Sequence, residues 1–253
     1  MSRTESPNRV IASQTLFRGL EIVDAVADGC RNVQTIAERT GMAFSTAHRI
    51  ASALVQVRYL SFEPRKGYSL GSKLVELGFL AYRQSDLTVM SRERLEWLAG
   101  QTLDTVHLAA LDDNSVVYLD KVGGQRPIEV NSRIGGRKPV CSTGVGKSLI
   151  LDSGEAAWRV YYEREANGEP QPLLLDEWLK RMHEYASGGY TFDLGENQPR
   201  IRCVAAPIRD GSGKIVAAVS VTSTVDYTDD QRLAELVPMV KAVANQISAK
   251  LGA

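Results

Sequence analysis

The chain has 253 residues, 43% of them hydrophobic and 24% charged, the profile of one large or two small globular domains. Basic and acidic residues both number 30, which excludes a uniformly basic nucleic-acid coat and an acidic solvating chain. No apolar run approaches the roughly 20 residues that span a bilayer, and MSRTESPNRV lacks an apolar signal core, so a cytoplasmic location with no membrane partner is expected.

Residues 1–12 are polar and are expected to be disordered. A helix then runs from about Ser13, its candidate cap, to Asp28. Its expected buried face is Leu16, Leu20, Val23 and Ala27, and Gly29 ends it. Asn32 is placed to cap a short helix over Val33 to Arg39, and Gly41 suits the left-handed residue after it. A second helix from Ala43 to Val57 repeats apolar residues at Ala47, Ile50, Leu54 and Val57. That spacing turns Ser45, Thr46, His48, Arg49 and Ser52 outward. Two short strands follow, Arg58 to Ser61 and Tyr68 to Leu70, joined by the turn Pro64-Arg65-Lys66-Gly67.

Helix, turn, helix and hairpin in this order predict a winged helix-turn-helix, whose second helix enters the major groove of DNA. From Gly41 to Lys73 five basic residues (Arg49, Arg58, Arg65, Lys66 and Lys73) face one acid, Glu63, a local net charge of +4 on a neutral chain. A basic patch of that kind is the footprint of a phosphate backbone. Candidate contacts to a double-stranded DNA operator are Gln14, Thr35, Ser45, Thr46, His48, Arg49, Arg58, Arg65, Lys66 and Tyr68.

A linker-helix region covers 72–90. Leu74, Leu77, Leu80 and Ala81 recur helically after Gly71, and Met90, Leu95, Trp97 and Leu98 are the apolar positions of a helix from Arg83 to Gln101. From Asp104 the period changes to two. Thr105 to Leu111 and Ser115 to Val122 read as strands about the turn Asp112-Asp113-Asn114, and Ile128 to Ile134 as a third strand. Helices are expected to start at Gly144 and to cover Asp176 to Tyr185. A hairpin joins Ile201–Ile208 to Lys214–Ser223. Thr228 to Gln231 has the form of a capping box before a last helix, with a kink expected at Pro238. The fold class is therefore α+β: a winged helix-turn-helix over 13–71, joined by a helix to a domain over 91–253 with a largely antiparallel sheet.

Enzyme signatures fail. Gly146-Lys147-Ser148 would end a phosphate-binding loop only with a glycine five residues earlier, where Cys141 stands. No serine lies in a Gly-x-Ser-x-Gly elbow, and His48, His107 and His183 are isolated. Cys30, Cys141 and Cys203 form neither a disulfide framework nor a metal knuckle. No catalytic residue, metal or cofactor is expected.

Several stretches, in this order, resemble the IclR family of bacterial transcriptional regulators. They are Ser13-Gln14-Thr15-Leu16, Thr40 to Arg49, Gly67 to Gly71, Ser132-Arg133-Ile134-Gly135 through Pro139 to Lys147, and Gly189-Tyr190 through Asp193 and Glu196-Asn197 to Ile208. The resemblance covers nearly the whole chain. It implies a repressor of a catabolic operon that forms a homodimer, with dimers pairing into tetramers, and a GAF-like C-terminal domain that binds a small organic acid. It also implies the pocket residues Asp193, Cys203, Ser220 and Thr222, with the loop Thr143, Gly144, Val145 and Gly146 presenting amides to a carboxylate. The effector it points to is a sugar acid. The chain departs from the family pattern in three stretches: Phe44 replaces a basic residue, Leu194-Gly195 interrupts an acidic run, and Pro199-Arg200 replaces a small turn. The alternative readings are a GAF-type sensor working through protein contacts and an enzyme acting on a small acid.

Overall fold

The structure is a computed structural model that describes residues 13–84, 86–127, 130–166 and 173–253. The disorder expected over 1–12 lies outside the described residues. The chain divides into two compact units, 1–84 and 85–253.

The first unit is built from α1 (Gln14–Ala27), α2 (Val33–Thr40), α3 (Phe44–Gln56), the antiparallel strands β1 (Leu60–Glu63) and β2 (Gly67–Leu70), and α4 (Ser72–Gln84). Asn32 caps α2 by accepting the Thr35 amide at 2.9 Å, and Gly41 ends it at φ 66°. The core gathers Ile22 and Val26 from α1, Ile36 from α2, Ala47, Ile50 and Ala51 from α3, and Leu60 and Tyr68 from the strands.

Two helical faces differ from expectation. α1 buries Gly19, Ile22, Ala25 and Val26, while Leu16, Phe17 and Leu20 are about half exposed. The apolar stripe is wider than the core it meets, so the periodicity is right and the chosen edge is wrong. Ala27 is likewise exposed, and Ser13 occupies the cap position without a side-chain bond. In α3 the last turn ends at Gln56, which leaves Val57 outside the helix and exposed, and Ala51 takes its place in the core.

Arg31 sews the hairpin to the helices. Its carbonyl accepts the Tyr68 amide at 2.8 Å, and its guanidinium donates to the Tyr68 carbonyl at 3.1 Å. The approach is close because β2 begins with glycine. A Cβ on Gly67 would lie 2.0 Å from the Arg31 carbonyl oxygen, and Gly67 also sits at φ 77°. Gly67→Ala is therefore expected to lower the stability of this unit by about 2–4 kcal/mol, measured by urea unfolding, because strain and overpacking add. A loss below about 0.5 kcal/mol would show that the hairpin can slide off Arg31 at little cost.

The second unit starts with α5 (Asp86–Thr102). Its sheet has the order β5-β4-β3-β8-β7-β6, and every neighbouring pair is antiparallel. The strands are β3 (Thr105–Asp112), β4 (Ser115–Val122), β5 (Arg137–Lys138), β6 (Thr191–Asp193), β7 (Ile201–Arg209) and β8 (Ile215–Thr224). One face packs Val106, Leu108, Val204, Ile208 and Val219 on Leu95 and Leu98 of α5 and on Leu236, Val240 and Ile247 of α9 (Asp230–Lys250). On the other face Ala109, Cys203, Ala205 and Ala218 meet α6 (Gly144–Leu149), α7 (Gly154–Ala166) and α8 (Leu175–Gly188) through Val145, Trp158, Trp178 and Met182. Among the described residues no helix is long and apolar enough to cross a membrane.

Local pattern and structure part in four places here. Residues 128–129 of the expected third strand lie outside the described residues, and 130–134 form a loop rather than a strand. The Lys121 ammonium takes the Val130 and Ser132 carbonyls at 2.9 Å each, so those backbone groups need no sheet partner. Trp97 is half exposed on α5, where Ala99 is buried instead. The cap of α9 is Asp229, which accepts the Arg232 amide at 2.8 Å, and not Thr228, whose hydroxyl is buried without a partner among the described residues. Pro238 lies inside α9, as the sequence placed it. α7 and β6 have no counterpart in the sequence reading.

Candidate functional site

In the first unit, Phe44, Ser45, His48 and Arg49 stand exposed along the N-terminal half of α3, and Thr46 is half buried. Phe44 stacks on His48, ring centroids 6.4 Å apart and planes 9° from parallel. Helical spacing of four brings them together, and an aromatic ring there can meet a thymine methyl where a basic residue would meet a phosphate. Gln14 is exposed at the start of α1. Arg65 and Lys66 crown the hairpin turn, with Lys66 2.8 Å from Glu63 in an exposed pair. Arg49 and Arg65 have no ion-pair partner among the described residues.

Three of the expected contacts have partners within the unit. Tyr68 is 5% exposed and packs against Phe62 in the core, so it supports the hairpin rather than DNA. Arg58 is no strand residue: it turns at φ 62° between α3 and β1 and meets Glu76 of α4 at 3.5 Å. The Thr35 amide and hydroxyl both bond Asn32 in the α2 cap.

In the second unit, sheet register assembles a polar row on one face. Asp193 stands opposite Cys203, Cys203 opposite Thr222, and Thr222 opposite Thr105. One step along, Ala205, Ser220, His107 and Lys121 are likewise paired. Directly opposed residues share a face. The start of α6 closes over this row. Gly144 lies so near it that a Cβ there would sit 2.9 Å from Cys203 Sγ, which explains the glycine.

Asp193, Cys203, Ser220 and Thr222 of these rows line a small cavity of about 30 Å3 that opens to solvent, and Tyr118, Val130, Asn131, Ser132, Lys138, Asn197, Gln198 and Ile201 complete its wall. Thr143, Gly144, Val145, Asp193, Cys203, Ser220 and Thr222 all line it, and Gly146 does not. Thr143 Oγ1 caps α6 by accepting the Gly146 amide at 3.1 Å and donates to the Pro139 carbonyl at 2.7 Å. That leaves the amides of Gly144 and Val145 as the two without a partner among the described residues at this helix start.

Burial governs the electrostatics. It raises the Asp193 carboxyl to about 6, against the pull of Lys147, and the Cys203 thiol to about 12. A thiol so far from ionisation is a poor nucleophile. Asp193 Oδ1 accepts the Gly195 and Glu196 amides at 3.0 and 2.9 Å, which holds the loop after β6. His107 is pulled down to about 3 by burial, with Lys121 and Lys138 adding to it. The neutral ring stacks on Tyr118 at 4.5 Å and reaches Ser132 Oγ at 2.7 Å and Thr222 Oγ1 at 3.4 Å. No group of three or more metal-ligating side chains occurs among the described residues.

The sequence reading missed Tyr118, Asn131, Ser132, Lys138, Asn197 and Gln198, as well as the bracing by His107 and Lys121. A β-bulge at Leu108/Ala109 is the reason for two of them. It turns both Tyr118 and Lys121, three residues apart, to the cavity face, which strict alternation forbids. The carboxamides lie in loops, where no periodicity marks them.

Comparison with known proteins agrees with this geometry. Residues 80–249 match the model of the bacterial transcriptional regulator IclR C-terminal domain, and residues 15–64 match the IclR helix-turn-helix domain. The chain is 30% identical over 245 residues to the HTH-type transcriptional regulator XynR of Escherichia coli, covering 94% of this chain and 97% of that one. It is 31% identical over 232 residues to the HTH-type transcriptional regulator KdgR of the same organism, covering 87% and 85%. The crystal structure of Thermotoga maritima IclR superposes with a TM-score of 0.76 at 28% identity, over 95% of this chain and 99% of that one. A winged helix-turn-helix followed by a domain with an antiparallel sheet, matched along both halves, makes this chain a member of the IclR family of bacterial transcriptional regulators.

Proposed function

We propose that this regulator represses a catabolic operon and is switched by a polyhydroxylated small organic acid held in the cavity of the second unit. The observation that carries the reading is the composition of that cavity. Unpartnered Gly144 and Val145 amides suit a carboxylate. Asp193, Ser220 and Thr222 pair with hydroxyls, and the carboxamides of Asn131, Asn197 and Gln198, with no side-chain partner among the described residues, each offer a donor and an acceptor. Buried polar groups left unpaired penalise a ligand that lacks the matching hydroxyls. Exposed Leu16, Phe17 and Leu20 on α1 support a homodimer, since such a patch is otherwise left to water. A dimer reads two half-sites one helical turn apart, so the operator is expected to be roughly palindromic. Effector binding moves DNA affinity only as far as it distinguishes the two states.

The test is a gel shift on DNA upstream of the protein's own gene, with non-specific competitor and a panel of sugar acids and short organic acids. A shift that one acid abolishes or strengthens supports regulator and effector class together. A shift indifferent to every acid removes the effector proposal, and folded protein with no shift at all removes the operator proposal. Arg65→Ala and Lys66→Ala are each expected to weaken binding about equally on specific and random DNA and to reduce the salt slope by about 0.9. An unchanged slope takes the hairpin turn off the phosphate backbone.

A further inference from the structure

We propose that Lys138 is a specificity-determining residue of this cavity: its ammonium takes a second acidic group at the far end of the ligand, so the effector is a polyhydroxylated diacid. The inference rests on the effector-pocket reading above and names the ligand class within it.

Register aims the side chain. In the β4–β5 pair Lys138 stands opposite Val116, and Arg137 opposite Val117. Val116 is fully buried in the core on the cavity side. Arg137 turns the other way, to an exposed ion pair with Asp112 at 2.7 Å. Lys138 is half buried, lines the cavity, and is one of the two cations whose field reaches the buried imidazole of His107.

Charge matching gives it a task. Lys147 is neutralised by Glu196, and Lys121 is committed to the Val130 and Ser132 carbonyls. Lys138 has neither a hydrogen bond nor an ion pair among the described residues. An ammonium partly withdrawn from water and left without a counter-charge is unfavourable, and an anion restores the balance. The first carboxylate does not need it, because the unpartnered Gly144 and Val145 amides at the start of α6 supply its donors. Lys138 lies on β5, at the opposite edge of the sheet from Asp193 on β6. A ligand reaching from the α6 amides to Lys138 therefore carries a negative group at each end, with Asp193, Ser220, Thr222 and the carboxamides left for its hydroxyls. The competing role is plain surface charge, since Lys138 also borders an open groove beside Arg164 and Glu165.

Isothermal titration calorimetry with a panel of six-carbon aldarates and the aldonates of matching stereochemistry separates these roles. The wild-type chain is expected to bind the best aldarate at least about tenfold more tightly than its aldonate. Lys138→Met should cost the aldarate about 10- to 100-fold, the worth of one charge-assisted bond, and leave the aldonate within about threefold. Lys138→Arg should keep the aldarate preference. Equal losses for both ligands overturn the proposal by placing the single carboxylate at Lys138. Unchanged binding of both overturns it by assigning Lys138 to the groove. If the folded wild-type chain binds aldonates alone, the diacid class falls while the pocket reading stands; if it binds neither, the pocket reading itself fails.

Discussion

Arg49→Ala should lower affinity for the specific operator by about 10- to 100-fold, with a much smaller loss on random DNA. Arg49 is exposed on the sixth position of α3, and no acid among the described residues engages it. Its planar fork can take both acceptors of a guanine edge, and one such pair is worth about 1–3 kcal/mol of discrimination. Arg49→Lys should recover little, because an ammonium is a point charge and lacks the fork. The measurement is a competition gel shift at fixed salt, with specific and random duplexes side by side. A parallel loss on both duplexes would make Arg49 a phosphate contact and move base reading toward Phe44, Ser45 and His48. An unchanged operator affinity would place the reading surface elsewhere.

Glu196→Ala is expected to destabilise the second unit by about 3–5 kcal/mol, the range for a buried ion pair that loses one member. Lys147 is 1% and Glu196 6% exposed at the side chain, and the two form a direct ion pair. Around the ammonium lie the Tyr185 ring, 5.8 Å from its centroid, and the Asp193 carboxylate, which burial has made hard to ionise. Lys147→Met should cost less, because Glu196 keeps Arg181 at 3.4 Å. The double substitution Lys147→Met with Glu196→Gln should lose less than the sum of the two singles, since each single strands a charge that the double removes. Urea unfolding of the full chain, followed in its second unit, reads all three. A Glu196→Ala loss below about 1 kcal/mol would mean that Lys147 finds another acceptor, Asp193 being an acid that already feels its charge. The pair also bears on the cavity, since Glu196 donates its amide to Asp193 Oδ1 and Lys147 follows Gly146 in α6.

What could be read directly from the sequence was whatever depends on neighbours a few residues away. Asn32 caps α2 and Gly41 ends it because a side chain meets an amide three residues on and because glycine carries no Cβ at positive φ. The hairpins about Asp113 and about Gly211–Gly213 follow from turn chemistry flanked by alternation. Ser220 and Thr222 were expected on one face because strands alternate, and they are. The family resemblance carried Asp193 and Cys203 to the same place, which spacing alone could not do.

Tertiary structure decided what depends on partners far along the chain. Leu16 and Leu20 fit the helical period as well as Ile22 does, but only the shape of α2 and α3 determines which edge of the stripe is covered. Residues 130–134 have strand-like alternation, yet they form a loop in which the ammonium of Lys121 takes the Val130 and Ser132 carbonyls in place of a strand partner. Asp229 and Thr228 are both good caps, and in the structure Asp229 accepts the Arg232 amide while Thr228 is buried. The cavity and the His107 that braces it join Lys138, Asp193 and Thr222, residues up to 115 positions apart, through five strand pairings and the bulge between β3 and β4. Propensity acts over one turn of helix or one pair of strands, and this site is made by contacts beyond that reach.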